Sequence, residues 1–234
     1  MKIEGRYAMT AILVALMFII TIAIGLIVTK VREKKRVEAF DTRKLQSYAV
    51  FSKDSIFTPK GIYFAGNHNW VQIEKDGNAK IGIDDFLNKV LGIFRIKNIV
   101  HVGQLIKKGE EIAHIEMSQK TLKIKSPIDG KVTSINKSVI DDPKQLRESP
   151  YEDGWIVQVE PLNLKENLLL LHIGEEAVSW MKNEISRFKD FLASLSPKVE
   201  PVGVTLYDGG NICEGVLDYF DQETIQEFEK EFLK

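Results

Sequence analysis

Apolar residues fall into three regimes along the chain. From Ala8 to Thr29 they run on without a charged residue. As a helix this stretch would be about 33 Å long, enough to cross the hydrocarbon core of a bilayer. From Gly61 to Pro161 they alternate with polar residues in short bursts, the period of half-buried strands. From residue 162 onward the dominant spacing becomes helical: Met181, Ile185, Phe188, Leu192 and Leu195 share one stripe of a helix over Glu175–Leu195.

The middle regime predicts most of the strands. Val71 and Ile73 alternate in one, and Ala79, Ile81 and Ile83 in the next, across a Lys75-Asp76-Gly77-Asn78 turn. Asp84 or Asp85 caps a short helix carrying Phe86, Leu87, Val90 and Leu91, which Gly92 ends. Turns at Val102-Gly103 and Lys108-Gly109-Glu110 flank Leu105 and Ile106. A hairpin follows. Ile112 to Met117 form one arm, and Leu122 and Ile124 alternate with Lys123 and Lys125 in the other. Its polar tip is Ser118-Gln119-Lys120-Thr121, and Pro127 and Asp129-Gly130 close the second arm. Val132 to Ile135 is a further strand, Asp141-Asp142-Pro143 opens a short helix, and Trp155, Val157 and Val159 alternate in a last strand. Many short strands with two small helices predict a β sandwich or barrel. Past the long helix, Val202, Val204 and Leu206 predict a strand, Asp208 to Asn211 a hairpin turn and Ile212 to Phe220 its return. Asp221 caps a final helix bearing Ile225, Phe228 and Phe232.

The expected organisation is a short tail (1–7), a transmembrane helix (8–29), a basic juxtamembrane tether (30–60), a mainly β domain (61–161) and a small α+β extension (162–234), acidic at its end. Charge orients it. Lys30, Arg32, Lys34, Lys35 and Arg36 follow the span, against Lys2 and Arg6 before it. The positive-inside bias makes this a single-pass protein of the cell membrane with its globular part in the cytoplasm. The basic cluster stands where a signal peptide would have its small-residue cleavage site, which favours an anchor. Residues 8–36 thus contact lipid, the basic cluster resting on anionic headgroups. The extension reads either as a cover packed on the β domain or as an acidic docking module.

Net charge is -1 across 234 residues, so no global charge points to nucleic acid. The single cysteine, Cys213, excludes an internal disulfide. His68, His101, His114 and His172 lack metal-ligand spacing, and His114, in a strand, reads as a hydrogen-bonded structural residue. Asp84-Asp85 and Asp141-Asp142 read as helix caps. No nucleophile elbow, phosphate loop or dinucleotide fingerprint is present, so a non-catalytic protein without metal is expected.

Several segments of the β domain share an order and spacing with a known family. They are His68-Asn69-Trp70-Val71, Gly82-Ile83-Asp84-Asp85-Phe86, Leu91-Gly92, Val102-Gly103, Lys108-Gly109-Glu110-Glu111, Ser126-Pro127 with Gly130, Asn136, Asp141-Asp142-Pro143 and Ser149 to Trp155. Together they resemble the H protein of the glycine cleavage system, over roughly Gly61 to Pro161. The resemblance implies a lipoyl-domain-like hybrid of β sandwich and barrel. It also implies a lipoyl lysine three residues after a glutamate and eight before the Ser-Pro proline. Counting from Glu116 or back from Pro127 reaches Gln119, and Lys120 stands one place late.

A glutamine side chain is already an amide and has no nucleophilic nitrogen to lipoylate. Three readings follow. In the leading one, the chain is a membrane-anchored H-protein-like binding or scaffold module without cofactor, and Lys120 is a solvated surface lysine. In the second, Lys120 carries lipoate, and the partners are lipoate-dependent enzymes of the glycine cleavage type. In the third, the chain is an assembly or sensory subunit of a membrane complex, with the acidic tail as its partner-binding element.

Overall fold

The computed structural model describes residues 17, 22, 49–117, 120–195 and 211–234. The chain forms two compact units, Met1–Ser47 and Tyr48–Lys234. In the first, Met17 and Ile22 are helical and exposed, and the rest of the expected 8–29 span lies outside the described residues. Among the described residues no helix is long and apolar enough to cross a membrane.

The second unit is built on an antiparallel sheet. Its strands are β2 (Tyr63–Phe64), β3 (Asn69–Ile73), β4 (Ala79–Ile83), β6 (Leu105–Ile106), β9 (Gly130–Ile135), β10 (Trp155–Pro161) and β11 (His172–Ile173), in the order β11-β2-β3-β4-β10-β9-β6. A smaller sheet holds β5 (Arg95–Lys97), β7 (Glu111–Met117) and β8 (Lys120–Lys125), with β8 at its edge. A third pairs β1 (Val50–Phe51) with β12 (Ile212–Cys213). The alternation read from sequence is the burial pattern observed: Ile112, Ile115, Met117, Leu122 and Ile124 of the hairpin all lie in the core.

Helices fill the connections. Helix α1 (Asp85–Val90) is capped by Asp84, whose Oδ1 accepts from Leu87 N at 2.8 Å. Helices α2 (Lys137–Asp141) and α3 (Lys144–Glu148) lie on either side of Asp142-Pro143, so the proline follows one helix as well as opening the next. Helix α4 (Leu164–Leu168) leads to the long α5 (Gly174–Leu195) and, at the end, to α6 (Gln222–Phe232). The five stripe residues expected on α5 are all buried. With Ile225, Phe228 and Phe232 of α6 they join one hydrophobic core with the strands. Phe188 sits at its centre, its ring 5.3 Å from Phe86 and 5.6 Å from Phe232. Burying rings of this size contributes kilocalories per residue, so the C-terminal helices belong to the core of the β fold.

Two expectations need correction. The sequence places residues 49–60 in the tether, but Phe51 is buried and Phe57 N donates to Asp85 Oδ2 at 2.9 Å. The Tyr151 hydroxyl donates to Phe57 O at 2.9 Å, tying the same segment to the domain. Ile212 to Phe220 is likewise not one returning strand. Only Ile212–Cys213 is extended, paired with Val50–Phe51, and Val216–Tyr219 then forms a turn of 3-10 helix. Long-range pairing with β1 decides this, and the expected partner strand around Val204 lies outside the described residues.

Candidate functional site

The hairpin of β7 and β8 is the natural place to look for chemistry. Its register pairs Met117 with Lys120, which leaves Ser118 and Gln119 as the connection, both outside the described residues. Lys120 is therefore the first residue of β8, and it is not a solvated lysine. Its Nζ donates to three backbone carbonyls of the C-terminal segment: Leu217 O at 2.9 Å, Asp218 O at 2.8 Å and Phe220 O at 2.8 Å.

Local structure explains the convergence. The last carbonyls of a 3-10 turn have lone pairs to spare: Leu217 O accepts from Phe220 N at 3.3 Å and still takes the ammonium, and Asp218 O and Phe220 O stand beside it. Gly215 enters the turn in the left-handed conformation, φ 74°, and an added Cβ there would lie 3.2 Å from the Gly92 Cα. A Cβ on Gly92 would in turn fall 1.7 Å from Asp218 Oδ2. The Leu91-Gly92 corner of the β domain thus carries no side chain at Gly92, and the turn seats directly on it. Asp218 Oδ2 also accepts from Ile93 N at 3.3 Å. Burial lowers the Lys120 pKa, and the charges of Asp218 and Asp221 pull it back up. Burial raises that of Asp218.

An ammonium has three N–H donors, one for each carbonyl. An amide on the same nitrogen would keep one N–H where three bonds are made now, and the nitrogen has no free lone pair while it stands as an ammonium donating all three. The arrangement at Lys120 does not fit a lipoyl group.

Helix α6 completes the cover. It lies along β8, where Lys123 N donates to Glu229 Oε1 at 2.6 Å and Lys125 Nζ to Leu233 O at 3.3 Å. An edge strand that would otherwise present bare backbone is protected in this way.

A second buried cation lies inside the core. His68, at φ 59°, is wholly buried beside Phe86 and Trp180. Its Nδ1 is 2.7 Å from Asp84 Oδ2, and its Nε2 is 3.7 Å from Glu184 Oε2, an ion-pair distance rather than a hydrogen bond. Burial alone would lower its pKa, but Asp84 and Glu184 outweigh that and raise it to about 9. Burial likewise pushes Glu184 up, and the nearby His68 and the bonds from Arg187 more than offset this to hold it low. Arg187 Nη1 grips both Glu184 oxygens at 2.5 and 2.6 Å, and its Nη2 donates to Glu231 O at 3.1 Å. The chain of charge runs from the α1 cap through His68 to α5 and α6. It ties the α1 cap, α5 and α6 to one another within the core.

The remaining candidates are separate. His114 bonds Asn98 through Nδ1 at 3.1 Å and Glu111 through Nε2 at 3.0 Å, as a structural histidine would. His172 pairs with Glu176 and stacks on Trp180, and His101 is exposed. Cys213 is buried in β12. Among the described residues no group of acids, histidines or cysteines is placed to hold a metal ion. Sequence reading misses Glu184, although a carboxylate between Met181, Ile185 and Phe188 on an apolar stripe is a signal. The three carbonyls have none.

Comparison with known proteins bears on the whole domain. The family model described as "Glycine cleavage H-protein" matches residues 62–184. The chain is 36% identical to the glycine cleavage system H protein of a Geobacillus species over 123 residues, 52% of this chain and 96% of that protein. It is 31% identical to a probable glycine cleavage system H protein of Pyrococcus furiosus over 123 residues, 53% of this chain and 91% of that protein. The crystal structure of an H protein from Mycobacterium marinum matches at 24% identity and a TM-score of 0.42, covering 44% of this chain and 86% of that one. The family match ends at Glu184, the partner of His68, and the residues that clamp Lys120 lie beyond it.

Proposed function

The chain belongs to the glycine cleavage H-protein family, and within that family we propose that it is a membrane-anchored H-type domain that serves as a binding or scaffold module rather than a carrier. The single observation that carries this reading is the Lys120 ammonium, whose three donors are all taken by carbonyls of the chain's own C-terminal segment. Gln119 in the family's lysine slot points the same way. The apolar run 8–29 and the basic residues after it support attachment to the membrane with the domain on the cytoplasmic side. The domain keeps an H-type body, is non-catalytic, and works by holding partners near the bilayer, where tethering raises their effective concentration.

Family membership favours one rival, lipoate on Lys120. That rival requires the Gly215–Phe220 segment to leave the hairpin before a ligase can reach the amine. Intact-mass measurement of protein from its native membrane, with peptide mapping across Ser118–Lys123, separates the two. Unmodified peptide, alongside a lipoylated control protein from the same cells, is the expected result. A lipoyl adduct on Lys120 would overturn the scaffold reading.

A further inference from the structure

A groove of about 530 Å³ runs between β8 and α6, lined by Lys123, Lys125, Gln226, Glu229, Lys230, Leu233 and Lys234. Two periodicities build it. Lys123 and Lys125 are two apart on a strand and face the same way, while Gln226, Glu229, Lys230 and Leu233 form one stripe of a helix. That stripe adjoins the Ile225, Phe228 and Phe232 stripe already spent on the core. Four ammonium groups thus meet a single side-chain carboxylate among the lining residues, in a chain close to neutral overall.

Glu229 Oε1 accepts from the Lys123 backbone, and its charge acts on the Lys123 ammonium. Lys123 Nζ pairs with Glu111, and Lys125 Nζ has only a carbonyl, Leu233 O. The ammonium groups of Lys230 and Lys234 have no ion-pair or hydrogen-bond partner among the described residues. Like charges gathered on two facing walls repel unless an anion lies between them.

We propose that this groove binds a small polyanion through paired phosphate groups, bridging the strand lysines to Lys230 and Lys234. Ammonium groups on flexible stems suit phosphate as point charges, and the volume is that of a small-molecule cleft. The site involves neither Gln119 nor the Lys120 clamp, so it stands whether or not the scaffold reading holds.

The test is calorimetric titration of the full chain, in neutral detergent at fixed ionic strength, with inorganic pyrophosphate. A parallel arm measures binding to nanodiscs containing phosphatidylglycerol or only phosphatidylcholine. Saturable binding is expected, weakened about tenfold or more by the double substitution Lys230→Gln and Lys234→Gln through loss of two charges, and unmoved by Lys165→Gln on α4. Saturation with pyrophosphate assigns a free ligand. A response confined to phosphatidylglycerol and weakened in the double variant assigns a lipid headgroup, whereas one the double variant leaves intact belongs to the basic residues 30–36 and overturns the proposal. No saturable binding in either arm, or equal binding by the double variant, overturns the proposal. Both substitutions are at groove positions outside the core, and an unchanged melting temperature shows that the variant is folded.

Discussion

His68 and Lys120 both tie the C-terminal segment to the β domain, and they are held by different means. His68 is wholly buried and depends on carboxylates, Asp84 at 2.7 Å and Glu184 at 3.7 Å. Lys120 is half-buried and depends on neutral carbonyls, each at 2.8–2.9 Å. A carboxylate compensates charge with charge and makes the contact sensitive to protonation. A carbonyl compensates only through hydrogen bonds and asks for the right number of donors in the right directions. The first contact therefore answers to pH, and the second answers to covalent change at the nitrogen. That difference makes Lys120 a poor carrier residue and a good fastener.

The comparison can be broken from either side. Glu184→Gln should have the largest effect. It leaves His68 and Arg187 without their shared anion, and removing one partner from a buried charge network costs about 3–5 kcal/mol, read by denaturant unfolding. The pH dependence comes next. His68 is raised from 6.5 to about 9, so its contribution is complete below about pH 6.5 and disappears as pH climbs through about 9. The change should be on the order of 3 kcal/mol and should shrink in Glu184→Gln. Lys120, whose pKa is lowered by burial, has the opposite sign: just below the ordinary lysine value, stability rises with pH. Lys120→Met should then cost about 1–2 kcal/mol through loss of the three charge-assisted bonds, with no change in the His68 profile. Gly92→Ala should be the mildest, at about 1–2 kcal/mol, because its Cβ collides with the end of the Asp218 side chain. Asp218→Ala in the same chain should recover most of that loss in thermal melts.

Much of this is legible in the residues. Alternation locates the strands of the sheet and the hairpin, because each strand buries one face. Asp84 and Asp221 announce their helices, and both cap as expected: Asp221 Oδ1 accepts from Thr224 N at 2.9 Å. The α5 stripe matches its burial apart from Glu184, a charge that reads as surface and lies in the core. Ile212 to Phe220 misleads, since its apolar residues fit a strand locally while β1 takes only the first two into a ladder. The lysine at the hairpin stands out in the sequence, but its surroundings do not.

By itself the sequence determined the β body, the family it belongs to, the helix caps and the amphipathic faces, all of which are carried by side chains at short, regular spacing. Tertiary structure alone decided what holds Lys120. Its acceptors are main-chain carbonyls some hundred positions along the chain. Every residue has such a carbonyl, so no residue type marks the ones that will matter. Only the seating of the Gly215–Phe220 turn on Gly92 turns them toward the amine.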